Sequence, residues 1–391
     1  MEASKEQQLA LREMKIFSSD SHVVEPPDLW TDRLHGDAAG MAPRLVPEET
    51  GDWWYVGDLR LAPIAARKPG ARFEGLEKLT GPSRFSGAPE GGYLPDKRLE
   101  AMDEDGMYQE LLYPTIGLWL FRLPPTYPIT EIFGRYNDWI AEFCDSAPDR
   151  LRGIAMIDLV DIDRGTKELQ RVAKAGLVGA MISVFPELDR GYDLPMWDPF
   201  WAAAEETGIP LSLHIGTNRQ VPETTRISGD TASSRFTPAQ DRADFTTAAH
   251  WVEMSLARII FSGVFERYPK LKIVSVEHGA GWAAHFQEQL DYSYTQRRQR
   301  LDWFRFKGDA LPSDFFKSNV FVSFQEDSLA IRMRDVIGID TLMWGSDYPH
   351  IETTYPRSLP ILGEMLNDLS TADQHKVVVG NAARAYPVFG N

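Results

Sequence analysis

Apolar residues recur along this chain at two periods. Eight short runs, "KIFSSD", "YQELLYPT", "LRGIAMI", "LVGAMIS", "PLSLHIG", "LKIVSVEHG", "NVFVSFQ" and "TLMWGSD", have the length and residue types of strands. In "PLSLHIG" the alternation is explicit: Leu211, Leu213 and Ile215 share one face, and Ser212 and His214 share the other. Between most of these runs lie helix-like stretches, from Ile129 to Ser146, Asp163 to Ala175, Met196 to Thr207, Arg242 to Ala257, Ala283 to Arg300 and Ser358 to Leu369. Strands alternating with helices predict a parallel sheet wrapped by helices, and eight of them predict a closed (β/α)8 barrel of the α/β class. Residues 32–96 break the rhythm. They are rich in Gly and Pro, and "DWWYVGDLRLAPI" alternates as a β hairpin does. The prediction is one barrel domain over residues 1–391, with 32–96 inserted after the first strand as a lid or an oligomer contact.

Composition narrows the classes. At 391 residues, 43% hydrophobic and 25% charged, the chain supports a large core. No apolar run is long enough to span a bilayer, and "MEASKEQQLALREMK" lacks the apolar stretch of a signal peptide. The expectation is a soluble cytoplasmic protein with no membrane partner. A net charge of −16 repels phosphate backbones, so nucleic acid is not an expected partner. Cys144 is the single cysteine, which excludes disulfide scaffolds and thiolate metal clusters. Any metal must be held by His and carboxylates.

Such residues collect at predicted strand ends, where barrel enzymes place their chemistry. The first strand ends in "SSDSH", and alternation puts Asp20 and His22 on one face, toward the barrel interior with Ser18. The fifth run offers His214 and the last offers Asp347. Each has an ordinary use on its own: Asp20 and Asp347 as turn caps, His214 as an interior histidine bonded locally. Together they form a set of two imidazoles and two carboxylates suited to one divalent ion, with Zn²⁺, Mn²⁺ and Fe²⁺ all acceptable. In "IVSVEHGAGW", alternation sends Glu277 inward and His278 outward, but Gly279 and Gly281 let the chain turn, so either one can reach the site.

The ordered motifs "DSHVVEPPDLW", "RLEAMDEDGMYQELLYPT", "YNDWIAEFC", "PLSLHIG", "SGVFERYPKLKIVSVEHGAGW", "WGSDYPH" and "GNAARAY" span nearly the whole chain. This set resembles the amidohydrolase-related family of metal-dependent barrels, which includes aminocarboxymuconate semialdehyde decarboxylase and γ-resorcylate decarboxylase. The resemblance implies a distorted (β/α)8 barrel with a metal at its C-terminal mouth. It implies that His22, His214 and Asp347 are metal ligands, that Asp20 stands where relatives carry His or Glu, and that His278 is the catalytic histidine. Asp20 makes the site more anionic than the familiar His-x-His opening, and the 32–96 insertion lengthens the chain.

The first functional reading is a metal-dependent hydrolase of a small carboxylated or aromatic substrate. Here Asp347 takes the proton of a metal-activated water, and His278 polarises the substrate carbonyl or protonates the leaving group. An alternative is non-oxidative decarboxylation of an aromatic or unsaturated carboxylic acid. Another is an oxygenase with paired iron or manganese, since the longer "DSHVVEPP" opening resembles 2-aminoisobutyrate hydroxylase. A metal-holding partner subunit without its own activity is the non-enzyme reading. Glu25, His350 and His278 are candidates for a second ion, with Glu277 as a direct or supporting partner; the bland use of Glu25 and His350 is hydrogen bonding to backbone amides and to Asp347. Trp54, Tyr55, Trp119, Phe121 and Trp282 suit a planar ligand or plain packing. Arg98 suits a substrate carboxylate, or an ion pair with Asp103 or Glu100. Expected partners are a small-molecule substrate and a second copy of the chain in a homodimer, or a related subunit.

Overall fold

The computed structural model describes residues 4–75, 83–219, 246–297 and 305–386. The barrel strands are β1 (Phe17–His22), β5 (Gln109–Tyr113), β6 (Leu151–Met156), β7 (Gly179–Ile182), β8 (Leu211–His214), β9 (Ile273–Val276), β10 (Val320–Phe324) and β11 (Leu342–Trp344). They are hydrogen-bonded in that order, all parallel, and correspond one to one with the eight predicted runs. Every residue of β7, β8, β9, β10 and β11 is buried, which is why these runs are nearly continuous in apolar residues.

Among the described residues no ladder joins β11 to β1; polar bonds close that seam. Ser19 Oγ donates to Trp344 O at 2.9 Å, Ser346 N donates to Ser18 Oγ at 2.9 Å, and Asp347 N donates to Asp20 O at 2.8 Å. The serine-rich sequence of β1 follows from this seam, because a short hydroxyl satisfies a buried backbone group without adding bulk.

Helices cover the outside: Ile129–Asp145, Ile162–Lys174, Asp198–Thr207, Ala249–Phe261, Trp282–Gln296 and Ser358–Met365 match the six predicted stretches. In Ile162–Lys174, Gly165, Leu169 and Val172 form the buried stripe, Asp161 caps the amide of Arg164, and Arg171 and Lys174 occupy the last turn. Residues 242–245 and 298–300 of the predicted helices lie outside the described residues.

Within 32–96, the predicted hairpin is β3 (Gly51–Val56) and β4 (Leu59–Pro63), and β2 (Pro43–Glu48) adds a third antiparallel strand. Trp54 packs edge-on against Trp30 at 5.7 Å between ring centroids. This sheet lies against the loops that follow β1 and β5, enclosing a cavity of about 20 Å³ lined by Val24, Glu25, Trp54, Ile64, Thr115 and Trp119. Arg72 donates to Thr353 O at 2.9 Å and pairs with Glu326, so the segment also touches the loops after β11 and β10. Among the described residues no helix is long and apolar enough to cross a membrane.

Candidate active site

Five backbone segments at the C-terminal ends of the strands bring the site together. β1 carries a bulge between Ser18 and Ser21, so simple alternation fails there, and Asp20 and His22 reach the site through irregular backbone. His22 Nδ1 donates to Pro114 O at 2.8 Å, which leaves the lone pair on Nε2. His214, at the end of β8, donates from Nδ1 to Ile215 O at 2.9 Å and is left with the same free Nε2. Both imidazoles are thus fixed in the tautomer that a metal requires. Ser212, on the same face of β8 as predicted, bonds the Tyr113 hydroxyl at 2.8 Å beneath the site.

After β9 and β11 the chain turns through left-handed backbone at Glu277 (φ 64°) and Asp347 (φ 56°), conformations uncommon for residues with a Cβ. These turns override strand parity. Glu277 Oε2 lies 3.6 Å from His214 Nε2, and Asp347 Oδ1 lies 3.3 Å from His22 Nε2. Asp20 Oδ1 lies 3.4 Å from His22 Nε2 and 3.7 Å from His214 Nε2.

The geometry revises the predicted ligand set. Two overlapping groups form, Asp20–His22–His214–Glu277 and His22–Glu277–Asp347–His350, each with its ligand atoms within 4.8 Å of one another. Asp20, His22 and His214 stay together as expected, while Asp347 falls in the second group and Glu277 joins both. His350 stacks on His22 at 3.8 Å between centroids, with Nδ1 3.0 Å from Asp347 Oδ1. Its Nε2 meets the Thr115 hydroxyl at 2.9 Å; that hydroxyl donates to Val23 O at 2.6 Å, so Nε2 is the donor and Nδ1 keeps its lone pair. Thr115 ends the run "YQELLYPT", and nothing in its local sequence signals this role.

Other predicted residues are used differently. Glu25 lies outside both ligand groups: its carboxylate accepts from the amides of Thr115, Ile116 and Gly117 at 2.9–3.2 Å. Burial raises its pKa to about 6, against the lowering effect of those amides. Arg98 does not face substrate. It is fully buried and paired with Glu110 at 2.5 Å, not with Asp103 or Glu100. Trp282 donates to Gly279 O at 2.9 Å and packs against Phe286 and Phe316, which braces the turn after Glu277.

His278 belongs to neither ligand group. Its Nδ1 lies 3.2 Å from Ser275 Oγ and its buried Nε2 has no hydrogen bond. Burial, reinforced by His214, lowers its pKa to about 3, so the ring is neutral. Burial likewise lowers His22 to about 3, with His350 adding to the effect. Burial raises Asp347 well above the carboxylate range, and the Asp20 charge adds to this; Glu277 is raised by burial and then by Asp347. Burial also pushes Asp20 upward, but His214 and His22 outweigh it and hold the group ionised, below the usual range.

Asp20 Oδ1, His22 Nε2, His214 Nε2 and both oxygens of Asp347 are buried without a hydrogen bond. Three carboxylates packed together out of water repel one another, and such groups persist in native proteins when they share a cation. Oxygen and imidazole donors with no sulfur fit Mn²⁺, Fe²⁺ or Zn²⁺. The residues present fit a divalent ion.

The site has little room for change in its frame. A Cβ at Gly345 would lie 2.5 Å from the Asp20 Cβ and 2.8 Å from its backbone nitrogen. Gly345→Ala is therefore expected to force β1 and β11 apart and to destabilise the fold by about 1–3 kcal/mol, the scale of overpacking. Thermal melting would check this, and an unchanged melting temperature would refute the close contact.

The family model for amidohydrolases matches residues 88–388. The γ-resorcylate decarboxylase of Rhizobium sp. (strain MTP-10005) is 28% identical over 315 residues, covering 76% of this chain and 88% of the relative. Among solved structures, an amidohydrolase from Mycobacterium avium subsp. paratuberculosis K-10 superposes with a TM-score of 0.75 at 22% identity, covering 96% of this chain and 98% of the other. A dihydroxybenzoic acid decarboxylase from Polaromonas sp. JS666, solved with bound manganese and the inhibitor 2-nitroresorcinol, superposes with a TM-score of 0.60 at 21% identity, covering 76% and 86%. The barrel, the ligand groups at its mouth and the match over residues 88–388 together place this chain in the amidohydrolase family.

Proposed function

We propose that the chain is a divalent-metal-dependent, non-oxidative decarboxylase of an aromatic carboxylic acid. The observation that carries this reading is the buried Asp347–Asp20–imidazole cluster, read beside the likeness to enzymes named as decarboxylases. Hydrolysis, the first reading of the sequence, has less support, because the relative from Rhizobium and the manganese-bound structure from Polaromonas are both named as decarboxylases.

Asp20, His22, His214 and Glu277 would hold the ion, with Asp347 and His350 at its second flank; Mn²⁺ is the proposed occupant, as in the Polaromonas enzyme. A bound divalent ion supplies Lewis-acid charge for a carboxylate and a neighbouring oxygen. The protein does the rest. Asp347, whose Oδ1 lies 3.3 Å from His22 Nε2 at that flank, is the group that would carry the transferred proton at its carboxyl oxygen. That proton passes to the ring carbon bearing the substrate carboxylate, and the carbon–carbon bond then breaks to release CO2 and restore aromaticity. His278, neutral and with Nε2 free, hydrogen-bonds the substrate and holds it in register for this transfer. The net reaction consumes one proton from solvent, which returns Asp347 to its acid form. Trp54 and Trp119 beside Glu25 provide flat apolar surface near the site.

The test is a panel of hydroxylated benzoates and unsaturated acids, together with amides, esters and lactones, offered to the Mn²⁺-loaded protein. Headspace CO2 without O2 uptake is the expected result. Hydrolysis of an amide, ester or lactone with no CO2, or O2 consumption, would favour the other two readings.

A further inference from the structure

We infer that Arg98 is a positioning residue that sets the affinity of the metal site by clamping the two backbone segments that carry its ligands. This rests on reading the Asp20–His22–His214–Glu277 and His22–Glu277–Asp347–His350 groups as metal-holding.

Arg98 lies in the helix Pro95–Asp105, outside the ring of strands, and its guanidinium is fully buried. Nη1 donates to His22 O at 2.6 Å and reaches Gly91 O at 3.4 Å; Nη2 reaches Tyr348 O at 3.5 Å. His22 O belongs to a ligand residue itself, and Tyr348 O belongs to the residue after Asp347. The same Tyr348 O accepts from His22 N at 2.6 Å, so the guanidinium sits behind a junction of the first strand with the loop after the last. This is the seam that no β ladder closes. The Tyr348 ring lies under the guanidinium at 4.6 Å and fixes its plane.

Nε donates to Glu110 Oε2 at 2.5 Å, and Glu110 is itself buried on β5. The carboxylate offsets the cation, so the effect of Arg98 on a nearby metal ion is through geometry rather than charge. Bonding in three directions at once, to β1, to β5 and to the 345–350 loop, requires the rigid fork of arginine. A lysine carries the charge but lacks that fork. Groups that orient metal ligands from behind change metal affinity by roughly 10–100-fold when removed.

The experiment is calorimetric titration of Mn²⁺ into metal-free wild-type, Arg98→Lys and Glu110→Gln proteins, with circular dichroism and melting curves for each. Arg98→Lys is expected to stay folded and to bind Mn²⁺ about 10–100-fold more weakly. Glu110→Gln, which keeps the guanidinium and its carbonyl bonds, is expected to melt lower and yet bind Mn²⁺ within about threefold of wild type. Arg98→Lys protein that melts lower but binds Mn²⁺ as wild type does would make Arg98 a fold-stabilising residue only and overturn the inference. If Arg98→Lys does not fold, the double variant Arg98→Gln with Glu110→Gln, which removes the fork and leaves no unpaired buried carboxylate, decides: a tenfold or greater loss of Mn²⁺ affinity supports the clamp, and unchanged affinity contradicts it. Wild-type protein that takes up no Mn²⁺ contradicts the metal-holding reading and the clamp together, whereas binding that is equal in all three proteins contradicts the clamp alone.

Discussion

Stripping divalent ions from the purified protein is expected to lower turnover of the proposed aromatic acid substrate by about three orders of magnitude or more, with recovery on adding Mn²⁺. The magnitude follows from the several kcal/mol of charge stabilisation a Lewis-acid ion supplies, at 1.36 kcal/mol for each tenfold in rate. The structure explains why the chain cannot substitute for the ion. Among the described residues, the cluster holds two imidazoles with bare Nε2 atoms and carboxylates with unbonded oxygens, and no Lys or Arg is paired with Asp20, Glu277 or Asp347. With the ion gone, burial and mutual repulsion favour the protonated forms of Glu277 and Asp347, and the site loses the divalent charge that would bind a substrate carboxylate. Rates measured before and after chelation, alongside elemental analysis, check this. Full activity in protein shown to be free of transition metals would remove the basis of the assignment.

His278→Ala is expected to retain Mn²⁺ at wild-type stoichiometry and to lose turnover by roughly two to four orders of magnitude, the scale for a removed acid, base or orienting hydrogen bond. The two parts of this expectation come from different observations. Retention follows from geometry, since His278 is outside both ligand groups. The loss in rate follows from the buried, unbonded Nε2, whose ring is neutral and can accept or donate according to the tautomer set at Ser275. Elemental analysis and steady-state kinetics on one preparation separate the two. If turnover is unaltered, the role passes to Glu277, which the left-handed turn brings into the same cluster.

Much of the barrel is legible because its strands are buried on both faces and so appear as apolar runs of strand length. The hairpin in the insertion is equally legible from alternation in "DWWYVGDLRLAPI". Its third strand, "PRLVPE", is not, because prolines argue against a strand unless it lies at an edge, where β2 does lie. In the site, Asp20, His22 and His214 were legible from their places at strand ends. Alternation could not place Glu277 and Asp347, since each sits in a left-handed turn where side-chain parity no longer holds. His350 was visible only as a candidate, and its orientation depends on Thr115, 235 residues earlier in the chain. Glu25 and Arg98 have the residue types of ligand and substrate clamp, yet their partners, backbone amides for Glu25 and the Glu110 carboxylate with backbone carbonyls for Arg98, are brought in by tertiary packing, which one-dimensional spacing does not encode.

The central claim is that this barrel removes carboxylate from an aromatic acid by placing a proton on the carbon that carried it. Incubating the Mn²⁺-loaded protein in D2O with the acid found on the panel, labelled with ¹³C at the carboxyl carbon, and following the mixture by NMR and mass spectrometry tests this most directly. One equivalent of labelled CO2 and bicarbonate is expected for each molecule consumed, together with a product carrying a single deuterium at the vacated ring position. Products that retain the labelled carbon, or that gain oxygen at the ring, would contradict the claim.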